Sequence, residues 1–303
     1  RKLTTPSHYA YLKISEGCDR KCTFCAIPLI RGRQVSRSIE ELKQEAKKLT
    51  ASGVKELILI AQDLTAYGTD LYGKQELARL LDALVDIPGL SWIRLHYTYP
   101  AAFPEDVIDR IREYSRICNY LDIPFQHISD QVLKNMHRGI NSMETLELIA
   151  KMRTVIPGVA IRTTLMTGHP GEGAEEFQQL IDFIKSARFE RLGAFVYSEE
   201  EGTWGAQNLK DSIPEPEKLA RFEEIMQIQQ SISLEINQSR VGQIMKVLID
   251  RQEGDYYIGR TEYDSPEVDN EVLIQSKSPL AIGDFSNVHI TEAGEFDLSG
   301  FAV

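Results

Sequence analysis

From Tyr9 to about Gln238, short β-rich runs alternate with amphipathic helical ones. "YAYLKIS" (9–15) reads as a strand, and "SIEELKQEAKKLTASG" (38–53) as a helix opened by a Ser38/Glu41 capping box and stopped by Gly53. "VKELILIA" (54–61) predicts a buried strand, residues 75–86 a helix and "SWIRLHYTY" (91–99) the next strand. A helix over 105–115, the strand "NYLDIPF" (119–125) and a helix over 142–154 continue the rhythm. "VAIRTTLMT" (159–167), a helix over 174–187, "RLGAFVYS" (191–198) and a long helix over 215–238 close it.

Six β/α units call for a parallel sheet with helices outside and functional groups at the carboxyl ends of the strands. Six fall short of a closed eight-fold barrel, so the predicted class is α/β, a partial, open (β/α)6 barrel over residues 1–238. After Arg240 the pattern changes. "QIMKVLID", "DYYIGRTEY", "EVLIQS", "FSNVHITEA" and "EFDLSGFAV" are short strands parted by Gly, Pro and Asp, and predict a small antiparallel β-barrel over 239–303.

The 303 residues suffice for one large and one small unit, and the formal net charge of −11 argues against a surface that coats nucleic acid broadly. No apolar run approaches the length of a membrane span, and "RKLTTPSHYAYLKI" lacks the apolar core of a signal peptide. A cytoplasmic protein is expected. "RKLTTPSH" reads as a linker entering a strand, so an upstream segment is expected as well.

Three of the four cysteines, Cys18, Cys22 and Cys25, fall in "EGCDRKCTFCAIP" (16–28) with C-x3-C-x2-C spacing. Such clustering is unlike a secreted disulfide framework and fits a reducing compartment. On a helix the three would share one face as core residues. Gly17, Pro28 and the charged Asp19, Arg20 and Lys21 favour a loop instead. Zinc would want a fourth ligand, and Cys118 lies far off, ahead of a strand, where a core role is expected. A [4Fe–4S] cluster on three thiolates would leave one iron free to bind a small molecule and pass it an electron.

With Phe24 before the last cysteine, in the loop after the first strand of a partial barrel, this motif resembles the radical S-adenosylmethionine superfamily. The resemblance implies that the open iron chelates S-adenosylmethionine, whose reductive cleavage gives a 5′-deoxyadenosyl radical. Further stretches are similar to the methylthiotransferase branch: "CAIPLIRGRQVSR" (25–37), "QDLTAYG" (62–68), "IPFQHISDQVLKNMHRG" (123–139), "RTTLMTGHPGE" (162–172) and "FVYSEEEGTWGA" (195–206). Gln62, Asp63, Gln126, His127, Arg162, Thr164 and Gly168, at strand ends or the following turns, are the candidate cofactor-binding residues. Arg162, a charge in an apolar strand, needs an anionic partner, which a cofactor carboxylate would supply. His127 also suits a plain backbone hydrogen bond, Gly168 a tight turn, and the acidic "SEEEG" (198–202) either an exposed loop or a minor contact to cofactor or substrate.

Residues 240–303 resemble a TRAM domain, a small β-barrel that often binds RNA. Here they carry five Lys and Arg against twelve acids. That charge repels tRNA, makes nucleic-acid binding by this unit unexpected, and suits a basic protein loop. "GRTEYDSPEVDNEV" (259–272) resembles the RimO-type branch, which methylthiolates an aspartate β-carbon in a small-subunit ribosomal protein. The family implies an external electron donor and a second [4Fe–4S] cluster in an N-terminal domain absent from this chain, so the chain alone is expected to cleave S-adenosylmethionine without completing sulfur transfer. The alternatives are a tRNA-adenosine methylthiotransferase and a non-enzymatic zinc-stabilised interaction module.

Overall fold

Short runs of Ile, Leu, Val and Tyr form one six-stranded parallel sheet in the computed structural model, which describes residues 4–303. Arg1–Leu3, where the expected linker starts, lie outside the described residues. β1 (Tyr9–Lys13) leads through β2 (Ser15–Glu16) into the cysteine loop, then α1 (Ile27–Arg31) and β3 (Val35–Ser36), the ribbon partner of β2. α2 (Ile39–Ala51) forms its Ser38/Glu41 capping box in both directions. β4 (Glu56–Ile60), α3 (Thr69–Tyr72), α4 (Leu77–Val85), β5 (Trp92–Leu95), α5 (Glu105–Glu113) and β6 (Ile117–Asp122) follow. Next come α6 (Asp130–Asn135), α7 (Ser142–Val155), β7 (Ala160–Thr167), α8 (Ala174–Ala187), β8 (Arg191–Val196), α9 (Trp204–Asn208) and α10 (Glu215–Gln238).

The strand order is β1-β4-β5-β6-β7-β8 with every pairing parallel, and β1 and β8 remain separate edges, so the barrel is open as expected. Along each strand one set of side chains, Leu57, Leu59, Leu95, Leu121, Ile161 and Leu165 among them, packs beneath the helices. Burying each such side chain contributes roughly 1.5–3 kcal/mol, which fixes the register. The alternate set is polar at the amino-terminal end: Glu56, Arg94, Tyr120, Arg162 and Arg191 face away from that core.

The expected strands over 91–99 and 119–125 stop early, at Leu95 and Asp122. The Asp122 carboxylate accepts the Tyr97 N–H at 3.0 Å, and Tyr97 takes a left-handed φ of 61°, which turns the chain out of the sheet.

β9 (Ile244–Glu253), β10 (Tyr256–Arg260), β11 (Val272–Gln275), β12 (Phe285–Ala293) and β13 (Leu298–Ala302) form a closed barrel in the order β10-β11-β13-β12-β9. It is mixed rather than purely antiparallel, since β11 and β13 run parallel. Alternating directions cannot be carried round a ring of five strands, so closure requires one parallel pair.

Residues 260–269, between β10 and β11, plug the amino-terminal floor of the large barrel, with a polar contact to every strand. Tyr9 Oη donates to Glu267 at 3.4 Å, Arg260 holds Glu56 at 2.9 Å, and Arg94 donates to the Glu262 carbonyl at 2.7 Å. Tyr120 Oη donates to Asp269 at 2.7 Å, Arg162 Nε lies 3.3 Å from Asp269, and Arg191 Nε donates to Asp264 at 3.0 Å. The acids of the "DSPEVD" stretch at 264 and 269 therefore point into the fold, not towards a partner.

Candidate active site

The cysteines lie in an irregular loop over 17–26, pinned from three sides. Cys18 N–H donates to the Gly32 carbonyl at 3.1 Å, Thr23 N–H to the Met136 carbonyl at 3.1 Å, and Thr23 Oγ1 to the Asn135 carbonyl at 2.8 Å. From α9, Gly205 N–H donates to the Thr23 carbonyl at 2.8 Å. A Cβ at residue 205 would sit 2.8 Å from that oxygen, so the approach requires glycine.

Cys18, Cys22 and Cys25 all line one open cavity of about 440 Å³ at the carboxyl ends of the strands. Phe24, Tyr97 and Tyr99 give it aromatic walls, and Gln62, Gln126, Arg20 and Arg138 bring polar groups. Gln126, like Tyr97, has a left-handed backbone, φ 71°, held by a bridge in which its N–H donates to Thr164 O and its carbonyl accepts from Met166 N. Such a conformation costs on the order of 1–3 kcal/mol and concentrates at functional sites. The side-chain oxygens of Gln62 and Gln126 are both buried without a hydrogen-bond partner among the described residues. A bound molecule carrying N–H or O–H donors would satisfy them.

Burial pushes the Cys18 thiol up to about 11, with the Arg20 N–H opposing it, and burial also raises Cys25. Thiols so placed become good ligands once a metal centre stabilises the thiolate. Beside Cys22 stand a cation and a phenol. Arg138 Nη1 donates to its sulfur at 3.4 Å, and Tyr99 Oη lies 3.8 Å away while donating to the Arg138 carbonyl at 2.5 Å. Arg20 and Arg138 stack on the Tyr99 ring at 4.0 and 4.2 Å from its centroid.

Of the residues named from the sequence, the structure brings the three cysteines, Gln62 and Gln126 to the cavity. Asp63 stands behind it: one oxygen caps the Thr65 turn at 2.9 Å, and the other accepts from Arg20 at 2.7 Å. Thr164 reaches the site only through the backbone, by the carbonyl that holds Gln126. Arg162 is a correction, because its anionic partners are Asp122 at 3.0 Å and Asp269 at 3.3 Å on the barrel floor. His127 is fully buried away from the cavity; Ser129 N–H occupies its Nδ1, and its Nε2 lies 3.2 Å from Glu172. Gly168 packs its Cα against Lys218, where a Cβ would lie 2.3 Å from the side chain, and donates its N–H to Glu172 at 2.9 Å. Glu199, Glu200 and Glu201 form an exposed loop outside the cavity lining. Arg20, Tyr97, Tyr99 and Arg138 were not singled out in the sequence, although Arg138 falls inside the quoted 123–139 motif.

The donor set fits a [4Fe–4S] cluster. Three thiols face one cavity, and the fourth, Cys118, is buried at the opposite end against Trp92, Tyr120 and Leu248.

Residues 12–184 match the Radical SAM superfamily and residues 241–303 the TRAM domain. Ribosomal protein uS12 methylthiotransferase RimO of Bacteroides thetaiotaomicron is 57% identical over 299 residues, covering 98% of this chain and 69% of that protein. RimO of Flavobacterium johnsoniae is 55% identical over 301 residues, covering 99% of this chain and 69% of its own length. In fold, the chain is similar to coproporphyrinogen III oxidase (HemN) from Escherichia coli, with a TM-score of 0.57 at 17% identity over 86% of this chain and 68% of that one. The radical S-adenosylmethionine methyltransferase TsrM from Kitasatospora setae gives a TM-score of 0.53 at 16% identity, over 78% of this chain and 38% of that one. With its cysteine loop, open barrel and terminal β-barrel accounted for together, the chain belongs to the RimO family of radical S-adenosylmethionine methylthiotransferases.

Proposed function

We propose that this chain carries out the radical step in methylthiolation of an aspartate β-carbon of ribosomal protein uS12, with Cys18, Cys22 and Cys25 holding a [4Fe–4S] cluster beside S-adenosylmethionine, and that sulfur transfer needs the second cluster that the resemblance implies. The observation that carries the reading is the cavity itself: three thiols and no fourth line it, together with Gln62 and Gln126, whose buried amide oxygens lack donors. When bound there, the cluster and S-adenosylmethionine supply the radical chemistry needed to take hydrogen from an unactivated carbon. Gln62 and Gln126 would be the side chains to accept hydrogen bonds from donors on the bound cofactor, and Phe24, Tyr97 and Tyr99 would wall the reacting space. Tyr97 and Gln126 are held in place by the Asp122 carboxylate and by the β7 backbone.

The charge of the small barrel supports a basic protein loop as substrate. With Asp264 and Asp269 consumed by the floor, its exposed face still carries Glu253, Asp255, Glu267, Asp284, Glu292, Glu295 and Asp297 against Lys246 and Lys277. Opposite charge attracts such a loop to the small barrel and disfavours tRNA. An external one-electron donor and a reducing, cytoplasmic setting accompany this reading. No helix among the described residues is long and apolar enough to cross a membrane.

Mass spectrometry of small-subunit ribosomal proteins from cells with and without the gene tests the proposal. The expected result is one SCH3 in place of H on a single uS12 aspartate, only when the gene is present. An unmodified uS12 together with a methylthiolated tRNA adenosine would give the reaction to the tRNA-modifying alternative.

A further inference from the structure

Arg138 is 4% exposed, yet among the described residues it takes part in no ion pair. The other buried arginines each hold a carboxylate: Arg94 reaches Glu56 at 2.7 Å, Arg221 reaches Glu172 at 2.6 Å and Arg260 reaches Asp250 at 2.7 Å. A buried cation without a counter-anion is strongly unfavourable, so a negative charge must arrive at Arg138 when the site is in use. Its orientation shows where. Nη1 points at Cys22 Sγ at 3.4 Å, Nη2 donates to the Pro124 carbonyl, and Nε is buried with no partner. The guanidinium is locked by the Tyr99 ring beneath it and by Tyr99 Oη on its own carbonyl. Arg20, the other cation on that ring, is already compensated by Asp63.

We propose that Arg138, held by Tyr99, is a positioning residue that carries the countercharge of the Cys22 thiolate and thereby raises the one-electron reduction potential of the cluster. This rests on the reading of the three cysteines as cluster ligands. Reduction adds a negative charge, and hydrogen bonds and cationic charge at a ligating sulfur stabilise the reduced form relative to the oxidised one.

The test compares wild type, Arg138→Gln, Arg138→Lys and Tyr99→Phe after anaerobic reconstitution, without S-adenosylmethionine. Iron and sulfide are assayed, and the reduced fraction is followed by electron paramagnetic resonance during a titration with a one-electron reductant. Arg138→Gln is expected to lower the reduced-to-oxidised ratio at a fixed potential about tenfold, a 59 mV shift for a one-electron couple. Arg138→Lys, which keeps the charge but loses the fork, should fall between, and Tyr99→Phe should shift the same way by less. A reconstituted Arg138→Gln protein with the wild-type midpoint would overturn the proposal, even if its affinity for S-adenosylmethionine fell. Should Arg138→Gln not retain iron, the Tyr99→Phe midpoint decides, an unshifted value overturning the proposal. Failure of the wild type to take up iron and sulfide would instead remove the underlying reading.

Discussion

Arg162 and Arg138 obey one rule with opposite outcomes. A buried guanidinium demands an anion, and in the sequence Arg162 stands out because it interrupts an apolar strand. Its anions turn out to be protein carboxylates, one of them Asp269, whose proximity arises only once the small barrel docks and no local pattern displays it. Arg138, in a polar stretch, draws no notice, yet it is the one left without a carboxylate. Arg162→Ala is therefore expected to destabilise the fold by roughly 3–5 kcal/mol, the cost of stranding buried carboxylates. Urea denaturation measures that loss, and binding of S-adenosylmethionine to the folded, reconstituted variant should remain within a few-fold of wild type. A large loss of cofactor affinity at unchanged stability would return Arg162 to the site. His127 and Gly168 take the plainer of the roles expected of them, a backbone hydrogen bond and a turn, since Glu172 and Lys218 occupy their polar and packing surfaces.

At the scale of elements, periodicity found all six barrel strands and the long helices, because alternation and capping are written locally. The strand ends were not legible: Tyr97 and Gln126 leave the sheet in left-handed conformations imposed by Asp122 and by β7. Nor was α9, whose five residues are too few for a periodic signal but whose Gly205 N–H holds the cysteine loop. Gly205→Ala should cost roughly 1–3 kcal/mol through overpacking, and the displaced Thr23 carbonyl should move the cysteines. The expected observation is reduced iron retention after reconstitution, together with a lowered thermal midpoint. Full iron content with only the midpoint lowered would confine Gly205 to packing.

For the whole molecule, the plug of residues 260–269 makes the two barrels one body on the side opposite the cysteines and leaves the cavity end open. Buried carboxylates hold this arrangement. Burial alone pushes Glu56, Asp250 and Glu172 up, but facing groups outweigh it and hold all three below the usual carboxylate range: Arg260 and Arg94 at Glu56, His8 and Arg260 at Asp250, His127 and Arg221 at Glu172. A depressed folded-state value contributes stability above the unfolded value, about 4 for a carboxylate, that is lost as pH falls through the folded one. Thermal midpoints should thus be level from neutral pH down to about 5 and drop below about 4. A midpoint that stays level into stronger acid would contradict the buried network.

Everything about function turns on the three thiols and the vacant coordination position they leave. The most direct test is electron paramagnetic resonance of the anaerobically reconstituted, reduced protein with and without S-adenosylmethionine, alongside iron, sulfide and zinc analysis. The account predicts one [4Fe–4S] group per chain, a signal reshaped by S-adenosylmethionine, and loss of that signal on replacing Cys18, Cys22 or Cys25 with alanine. Uptake of zinc in place of iron and sulfide, or a cluster signal indifferent to S-adenosylmethionine, would contradict it.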